Sequence, residues 1–192
     1  GSIFHYLGES EHKKLDHITG ISRIEEDKYV WLDRFTIKNL ELVSSPHENA
    51  RTLSDILDET QTAMGSRMLR RWIMLPLKNK KPIEDRLMVV DFFKANEKIG
   101  FELSQRLKNI GDLERLISKV AVGRVNPKEV AHLKKTLMEI DPLKALLNTN
   151  DKPKSLKGLL DKLDPCPKLI DLIGASLTEE PAAQIGKGEV IK

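Results

Sequence analysis

The stretch MGSRMLRRWIMLPL, Met64–Leu77, decides the fold class because its apolar residues recur at helical spacing before a proline stop. The apolar stripe consists of Met64, Met68, Trp72 and Leu75. At about 100° of rotation per residue these side chains stay within a narrow arc of an α-helix, which predicts a buried face. Trp72 is therefore expected in the core. The proline at position 76 prevents much continuation of the helix.

Basic side chains of the same stretch lie on the opposite face and continue into the following loop. They are Arg67, Arg70, Arg71, Lys78, Lys80 and Lys81. One interpretation is a patch that contacts nucleic-acid phosphates. The other is a solvated face that pairs with nearby acids, namely Asp55, Asp58, Glu59, Glu84 and Asp85. The second is favoured, because no aromatic residues are interleaved with the bases to stack on a nucleic-acid strand.

Further helical patterns follow this stretch. Their apolar positions are Ile83, Leu87 and Val90; Leu103, Leu107 and Ile110; Val130, Leu133, Leu137 and Ile140; Leu156, Leu159, Leu160 and Leu163; and the run from Leu169 to Leu177. Asp112 is the expected N-cap of the helix in DLERLISKVAV, which Gly123 ends. In the next helix Asn126 can cap, Pro127 fits the first position, and Glu129 can reach back to the Asn126 amide.

Strand signals are short and confined to the two ends of the chain. Ile21–Ile24 and Tyr29–Leu32 have β-favouring residues around an acidic turn, and a second hairpin is expected through Gly186 to Gly188. The sequence therefore predicts a mainly α fold, a multi-helical domain with one or two short β-hairpins.

Composition decides little about binding partners. Lys and Arg number 32 against 29 acidic residues, a balance of +3 that is unlike that of a DNA-coating domain. The single cysteine, Cys166, excludes an intrachain disulfide and any multi-cysteine metal site, which indicates a reducing compartment. The longest apolar runs are too short to cross a bilayer, and no export signal is visible.

The residue patterns that carry chemistry are missing. There is no Gly-x-x-x-x-Gly-Lys-Ser/Thr string to cradle the phosphates of a nucleotide, and the histidines are dispersed without metal-ligand spacing. Asp112 and Glu114 could be a carboxylate pair, but both stand at a helix start, where carboxylates complement the dipole. No catalytic, cofactor-binding or metal-binding residue is therefore expected, and an enzyme with an unrecognised site has no supporting constellation.

Three ordered blocks resemble the MutS family of DNA mismatch-repair proteins. They are LDRFTIKNLELV (Leu32–Val43), TLSDILDETQTAMGSRMLRRWIMLPL (Thr52–Leu77) and IGDLERLISKVAVGRVNPKEVAHL (Ile110–Leu133). These blocks look like landmarks of the core, or lever, domain of that family, and bacterial members look closest. The lead-in IFHYLGESEHKKLDHI resembles the exit from the connector domain. The resemblance implies a connector-exit segment at 1–17 and, at 18–192, the first segment of the helical core, truncated before the clamp.

The resemblance also implies a role. A structural core segment would couple the ATPase end to the mismatch-binding and clamp domains without catalysing anything itself, with ATP and magnesium needed only by the full-length protein. The implied partners are other domains of the same protein, mismatched duplex DNA, a second copy in a homodimer and a MutL-type protein, in the cytoplasm. The alternative is an autonomous helical DNA-binding module that uses the basic patch Arg67–Lys81.

One expectation concerns uncovered apolar surface. If a second segment beyond the clamp completes the core in the resembled family, some leucine-rich faces of this chain lack their partner. The candidates are Leu156, Leu159, Leu160 and Leu163, and Leu169, Ile170, Leu172 and Ile173. Large exposed apolar patches tend to be covered by another chain, so self-association through these faces is expected.

Overall fold

The computed structural model describes residues 26–184, 186 and 188–192, together with residues 5, 6 and 9. This part of the chain is mainly α, which confirms the predicted fold class. A short 3-10 helix, Glu26–Lys28, comes first. The α-helices that follow are α1 (Arg34–Asn39), α2 (Leu53–Leu57), α3 (Ala63–Met74), α4 (Lys80–Ala95), α5 (Glu97–Leu107), α6 (Leu113–Ala121), α7 (Pro127–Met138), α8 (Ile140–Leu146), α9 (Lys154–Leu160) and α10 (Pro167–Ser176).

The predicted helix starts at α6 and α7 are confirmed. The Asp112 carboxylate caps α6 by accepting a hydrogen bond from the backbone N–H of Arg115. At α7 the Asn126 side chain accepts from the backbone N–H of Glu129, while the Glu129 carboxylate accepts from the backbone N–H of Asn126. Each cap satisfies a backbone donor that the first turn of a helix leaves unpaired. The positive φ of 67° at Gly123 ends α6, as glycine does without steric cost.

The core lies between α4, α5, α9 and the end of α8. Phe92, Leu147, Leu156 and Leu160 are buried together there, and the neighbouring Phe93 ring meets Phe92 edge to face with centroids 5.2 Å apart. This geometry is favourable for aromatic pairs beyond the apolar area that they bury. A further layer forms where α10 packs on α7, with Ile173 buried in it.

The β structure of the described residues consists of isolated bridges, where one or two short hairpins were expected. Tyr29 pairs with Leu77, the backbone N–H of Val30 donates to the carbonyl of Pro76 over 2.8 Å, and Ile21–Ile24 lies outside the described residues. At the other end Leu177 pairs with Ile191, so the chain returns to the end of α10 through a longer connection than the predicted tight turn. Each bridge lies beside the end of a helix, because Leu77 follows α3 and Leu177 follows α10.

The predicted buried faces of two helices, α3 and α4, are not buried in the structure. Trp72 remains 42% exposed, and α3 contains no buried residue. In α4 the predicted stripe at Ile83, Leu87 and Val90 faces outward, whereas the opposite face, with Phe92, enters the core. Apolar residues occur all around α4, so periodicity alone cannot choose the inner face. Burial of the aromatic pair removes more apolar surface from water and decides it.

The leucine-rich stripes divide between core and surface. Leu156, Leu160 and Ile173 are buried within this chain, contrary to the expectation that they lack a partner. Leu159 and Leu172 remain exposed. Each of these two helices carries apolar side chains on its inner face and on its outer face. Only the side chains of the outer face are therefore available to another surface. Self-association through that part stays a prediction.

Candidate coupling junction and basic surfaces

Arg67 joins α3 to the start of α6 through a fork of hydrogen bonds. Its Nη1 and Nη2 donate to the two carboxylate oxygens of Asp112 over 2.9 and 2.7 Å. Its Nε and Nη2 donate to Oε2 of Glu114 over 2.8 and 2.6 Å. One planar guanidinium thus holds two carboxylates, a bidentate geometry that a lysine ammonium cannot reproduce. Asp112 and Glu114 therefore have a structural use, and Arg67 ties α3 to the N-cap of α6, which lies 45 residues later in the sequence.

The charges of this fork stabilise one another. Hydrogen bonds from Arg67 lower the pKa of Asp112 to about 2, assisted by the backbone N–H of Arg115. The same hydrogen bonds from Asp112 and Glu114 raise the pKa of Arg67 further above its usual value. Asp112 consequently stays ionised at neutral pH, and it serves the helix cap and the fork together.

Gly111, the residue before Asp112, holds the same turn against α7. The backbone N–H of Gly111 donates to Oγ1 of Thr136 over 3.0 Å, and Thr136 is 1% exposed. The His132 ring lies so close that a methyl group on the Cα of Gly111 would stand 2.6 Å from its Nε2. Such a methyl group would require the exposed His132 ring to move, and it would also stand 3.1 Å from Oγ1 of Thr136. The Gly111–Asp112 turn therefore contacts α3, α6 and α7 at one point, and we call the set Arg67, Gly111, Asp112, Glu114 and Thr136 the coupling junction.

Other ion pairs join neighbouring helices around the junction. Lys119 of α6 donates to Glu129 at the start of α7, which lowers the pKa of Glu129. Arg106 of α5 lies 3.4 Å from the carboxylate of Glu139, which precedes α8. The first pair links the consecutive helices α6 and α7, and the second links α5 to the residue between α7 and α8, so both add to the apolar packing of these helices.

The predicted basic patch is partly used within the chain. Besides Arg67, Arg70 lies 4.0 Å from Asp55, and Lys80 lies 3.5 Å from Glu84, one turn away. Both acids are among those that the sequence indicated as partners of this patch. Arg71, Lys78 and Lys81 have no acidic group within ion-pair distance in the described part of the chain, and all three are exposed.

Trp72 has a polar neighbour that the sequence did not indicate. The guanidinium carbon of Arg86 lies 3.7 Å from the centroid of the Trp72 ring, a cation–π contact between α3 and α4. Desolvation lowers the pKa of Arg86, which fits an arginine laid against the chain. The guanidinium covers one face of an indole that is otherwise exposed. Arg86 stands 14 positions after Trp72 in the sequence, beyond the reach of helical periodicity.

The described residues contain no group of three or more His, Cys, Asp or Glu side chains placed to hold a metal ion. Among those same residues, no helix combines the length and the apolar content that crossing a membrane requires.

Comparison with known proteins identifies the family. Residues 35–192 match the family profile described as MutS domain III. The chain is 46% identical over 192 residues to the DNA mismatch repair protein MutS of Cytophaga hutchinsonii and 47% identical over 191 residues to that of Flavobacterium psychrophilum. It is covered completely in both comparisons and spans 22% of each relative's length. The helical fold and these matches agree, and the chain belongs to the MutS family, as a segment that carries its domain III.

Proposed function

We propose that this chain is a structural core, or lever, segment of a DNA mismatch-repair ATPase, and that it couples the ATPase end to the mismatch-binding and clamp domains. In this proposal residues 1–17 are a connector-exit segment and residues 18–192 are the first segment of the core, truncated before the clamp. The chain itself catalyses nothing. ATP, magnesium, mismatched duplex DNA, a second copy and a MutL-type protein are partners of the full-length cytoplasmic protein.

The coupling junction is the observation that carries this proposal. Close-packed elements shift as units, so a segment that transmits movement needs ties that fix one helix against another. Arg67 provides such a tie between α3 and α6, while Gly111 and Thr136 hold the same turn on α7. A displacement of α3 would therefore move the start of α6 and its contact with α7 together.

The alternative is an autonomous DNA-binding module that uses the patch Arg67–Lys81. It is weaker, because Arg67, Arg70 and Lys80 are engaged by acids of the same chain. A module that contacts phosphates should bind duplex DNA with a steep loss of affinity as salt increases. We expect the isolated chain to bind matched and mismatched duplexes equally and weakly. A clear preference for a mismatch in a competition assay would overturn the structural proposal.

A chimera tests the proposal itself. The matching segment of the Flavobacterium psychrophilum protein would be replaced by these 192 residues. If the chain is a core segment, the chimera should retain mismatch binding and should release the mismatch when ATP is added. A folded chimera that binds neither mismatched DNA nor ATP would argue against the proposed role.

A further inference from the structure

The outer surface of α3 and α4 carries apolar side chains that the described chain leaves uncovered. Met68 and Trp72 stand one turn apart on α3, and the guanidinium of Arg86 on α4 lies against the Trp72 ring. The outward stripe of α4 includes this arginine, because residues three or four positions apart share a helix face. We call this surface the α3–α4 outer face, and it consists of Met68, Trp72, Ile83, Arg86, Leu87 and Val90. Its apolar side chains are all exposed, those of Met68, Leu87 and Val90 by more than half.

A face of this composition is unusual on a protein surface that stays in water. Single exposed leucines are ordinary, whereas a contiguous apolar patch marks an interaction site. Tryptophan and arginine are also the residue types that most often dominate the binding energy of an interface. The stacked pair of Trp72 and Arg86 is therefore the expected centre of a contact.

Arg86 lacks a counter-charge within the described part of the chain. No carboxylate there pairs with its guanidinium, and partial burial lowers its pKa. The guanidinium thus gives up hydration without gaining an ionic partner, which costs free energy. An approaching carboxylate could accept from it in the bidentate geometry that arginine offers. The face therefore fits a surface that is mostly apolar and that places one acidic side chain beside Arg86.

Nucleic acid fits this face poorly. A hollow beside Leu87 is lined by Glu84, Asp85 and Asp91, together with Lys81. Three carboxylates at this border would repel the phosphates of a nucleic-acid strand.

The rest of a longer polypeptide fits the face better than a transient partner does. The chain spans 22% of the length of its relatives, so most of such a polypeptide lies outside these 192 residues. Interfaces that stay closed are more apolar than reversible ones, and charged residues are depleted from the centre of an interface. Arg86 is the one charged member of the α3–α4 outer face, and its charge is already laid against an indole.

We propose that the rest of the longer polypeptide covers the α3–α4 outer face and places a carboxylate against Arg86. This inference rests on the proposed role as a core segment, and it gives α3 a second tie. Arg67, about 100° around α3 from Met68, holds the coupling junction, while Met68 and Trp72 face the covering segment. Movement of the covering segment would then reach α6 through α3.

Hydroxyl-radical footprinting of the native side chains compares the isolated chain with the full-length chimera. Exposed methionine is readily oxidised, and mass spectrometry reads each residue separately. Oxidation of Met68 should fall roughly fivefold in the chimera, since packing at the centre of an interface matches that of a protein interior. Met138 of α7 is the internal control, because it is 53% exposed in the isolated chain against 56% for Met68. It should keep most of its reactivity in the chimera.

Charge reversal at Arg86 tests the expected carboxylate. In the chimera, Arg86→Glu should return Met68 towards its reactivity in the isolated chain, because two carboxylates would then face each other. Met68 is measured rather than Trp72, since Trp72 loses the cover of Arg86 in any case. Arg71→Glu, on α3 but outside the face, is the matched control and should leave Met68 protected. Circular dichroism of both variants in the isolated chain checks that they fold.

Several results would contradict the inference. Equal oxidation of Met68 in the chain and in the chimera would show that the face stays open. Equal protection of Met138 would show that the covering is not particular to this face. Protection of Met68 that grows with the concentration of the isolated chain would make a second copy the occupant. Continued protection of Met68 in Arg86→Glu would remove the carboxylate.

The function of the chimera is measured separately from the covering of the face. A chimera that releases a mismatch on addition of ATP while Met68 stays reactive would refute the covered face and leave the proposed function standing. A chimera that protects Met68 but does not bind mismatched DNA would support the covered face and contradict the proposed function.

Discussion

At the scale of single residues, Arg67 determines how α3 is held. Its guanidinium contacts carboxylates that follow it by 45 and 47 residues, so no local pattern could indicate them. The sequence did identify Asp112, because a helix cap is a local signal. It did not reveal that the same carboxylate also accepts from Arg67. The acids proposed from proximity in the sequence account only for weaker contacts such as Arg70 with Asp55.

The pKa of Asp112 gives a testable pH dependence. The folded pKa of about 2 lies below the ordinary value of 3.8, so ionised Asp112 stabilises the fold above pH 4. That contribution is lost as the pH falls from about 4 towards 2. We expect Asp112→Asn to lower the urea midpoint at pH 7, with the difference from the unchanged chain shrinking towards pH 2. Glu180→Gln, at an exposed position outside the junction, is the control. A difference that is constant with pH would contradict the assigned ion pair.

A side chain at position 111 should destabilise the fold while His132 is present. Gly111→Ala places a methyl group 2.6 Å from the imidazole and 3.1 Å from Oγ1 of the buried Thr136, and because the exposed ring can move, we expect a cost of about 1 kcal/mol of unfolding free energy, the lower end of overpacking. His132→Ala removes the obstructing ring, so the double variant should recover part of that loss in chemical denaturation. Strictly additive effects in the double-mutant cycle would show that the two residues are not in contact.

Burial reverses two expectations from the sequence, which placed Trp72 in the core and Leu156 on a face that lacks its partner. Leu156 is 5% exposed and should cost about 2–5 kcal/mol when replaced by alanine. Trp72 is larger but 42% exposed, and its replacement should cost about 2 kcal/mol through lost area and the contact with Arg86. Urea melts of Leu156→Ala and Trp72→Ala provide the comparison. A greater loss of unfolding free energy in Trp72→Ala than in Leu156→Ala would indicate that the indole lies in the core.

At the scale of the helices, ends were more predictable than faces. The caps at Asp112 and Asn126 are confirmed because the chemistry of a cap lies within four residues. The prediction of the buried face of α4 was wrong. Val90 and Phe92 are both apolar, and only contacts with the other helices determine which of them is buried. Pairing between distant segments, such as Tyr29 with Leu77, depends on tertiary contacts in the same way.

The cap of α7 can be tested separately from the junction. Asn126→Ala removes the acceptor for the Glu129 amide, and the loss of such a cap costs roughly 1 kcal/mol. Asn148→Ala, at an exposed position after α8, is the control and should change stability little. Thermal melts that leave the two variants indistinguishable would mean that the cap contributes nothing to α7.

At the scale of the whole molecule, the chain is a set of short helices tied at a few points. The core around Phe92 supplies the packing, and the coupling junction fixes α3 against α6 and α7. The proposed role is that of a part that holds other parts of a longer protein in register. The match to MutS domain III over residues 35–192 gives that interpretation its family context.

The most direct test of the proposed coupling uses Arg67→Ala in the full-length chimera, with Arg71→Ala as the matched control. Basal ATP hydrolysis and mismatch binding should be retained by both variants, because neither residue is proposed to contact nucleotide or DNA. ATP-induced release from a mismatch, followed by stopped-flow anisotropy, should slow in Arg67→Ala, recover partly in Arg67→Lys, and stay unchanged in Arg71→Ala. Release from Arg67→Ala at the rate of Arg71→Ala would contradict the account.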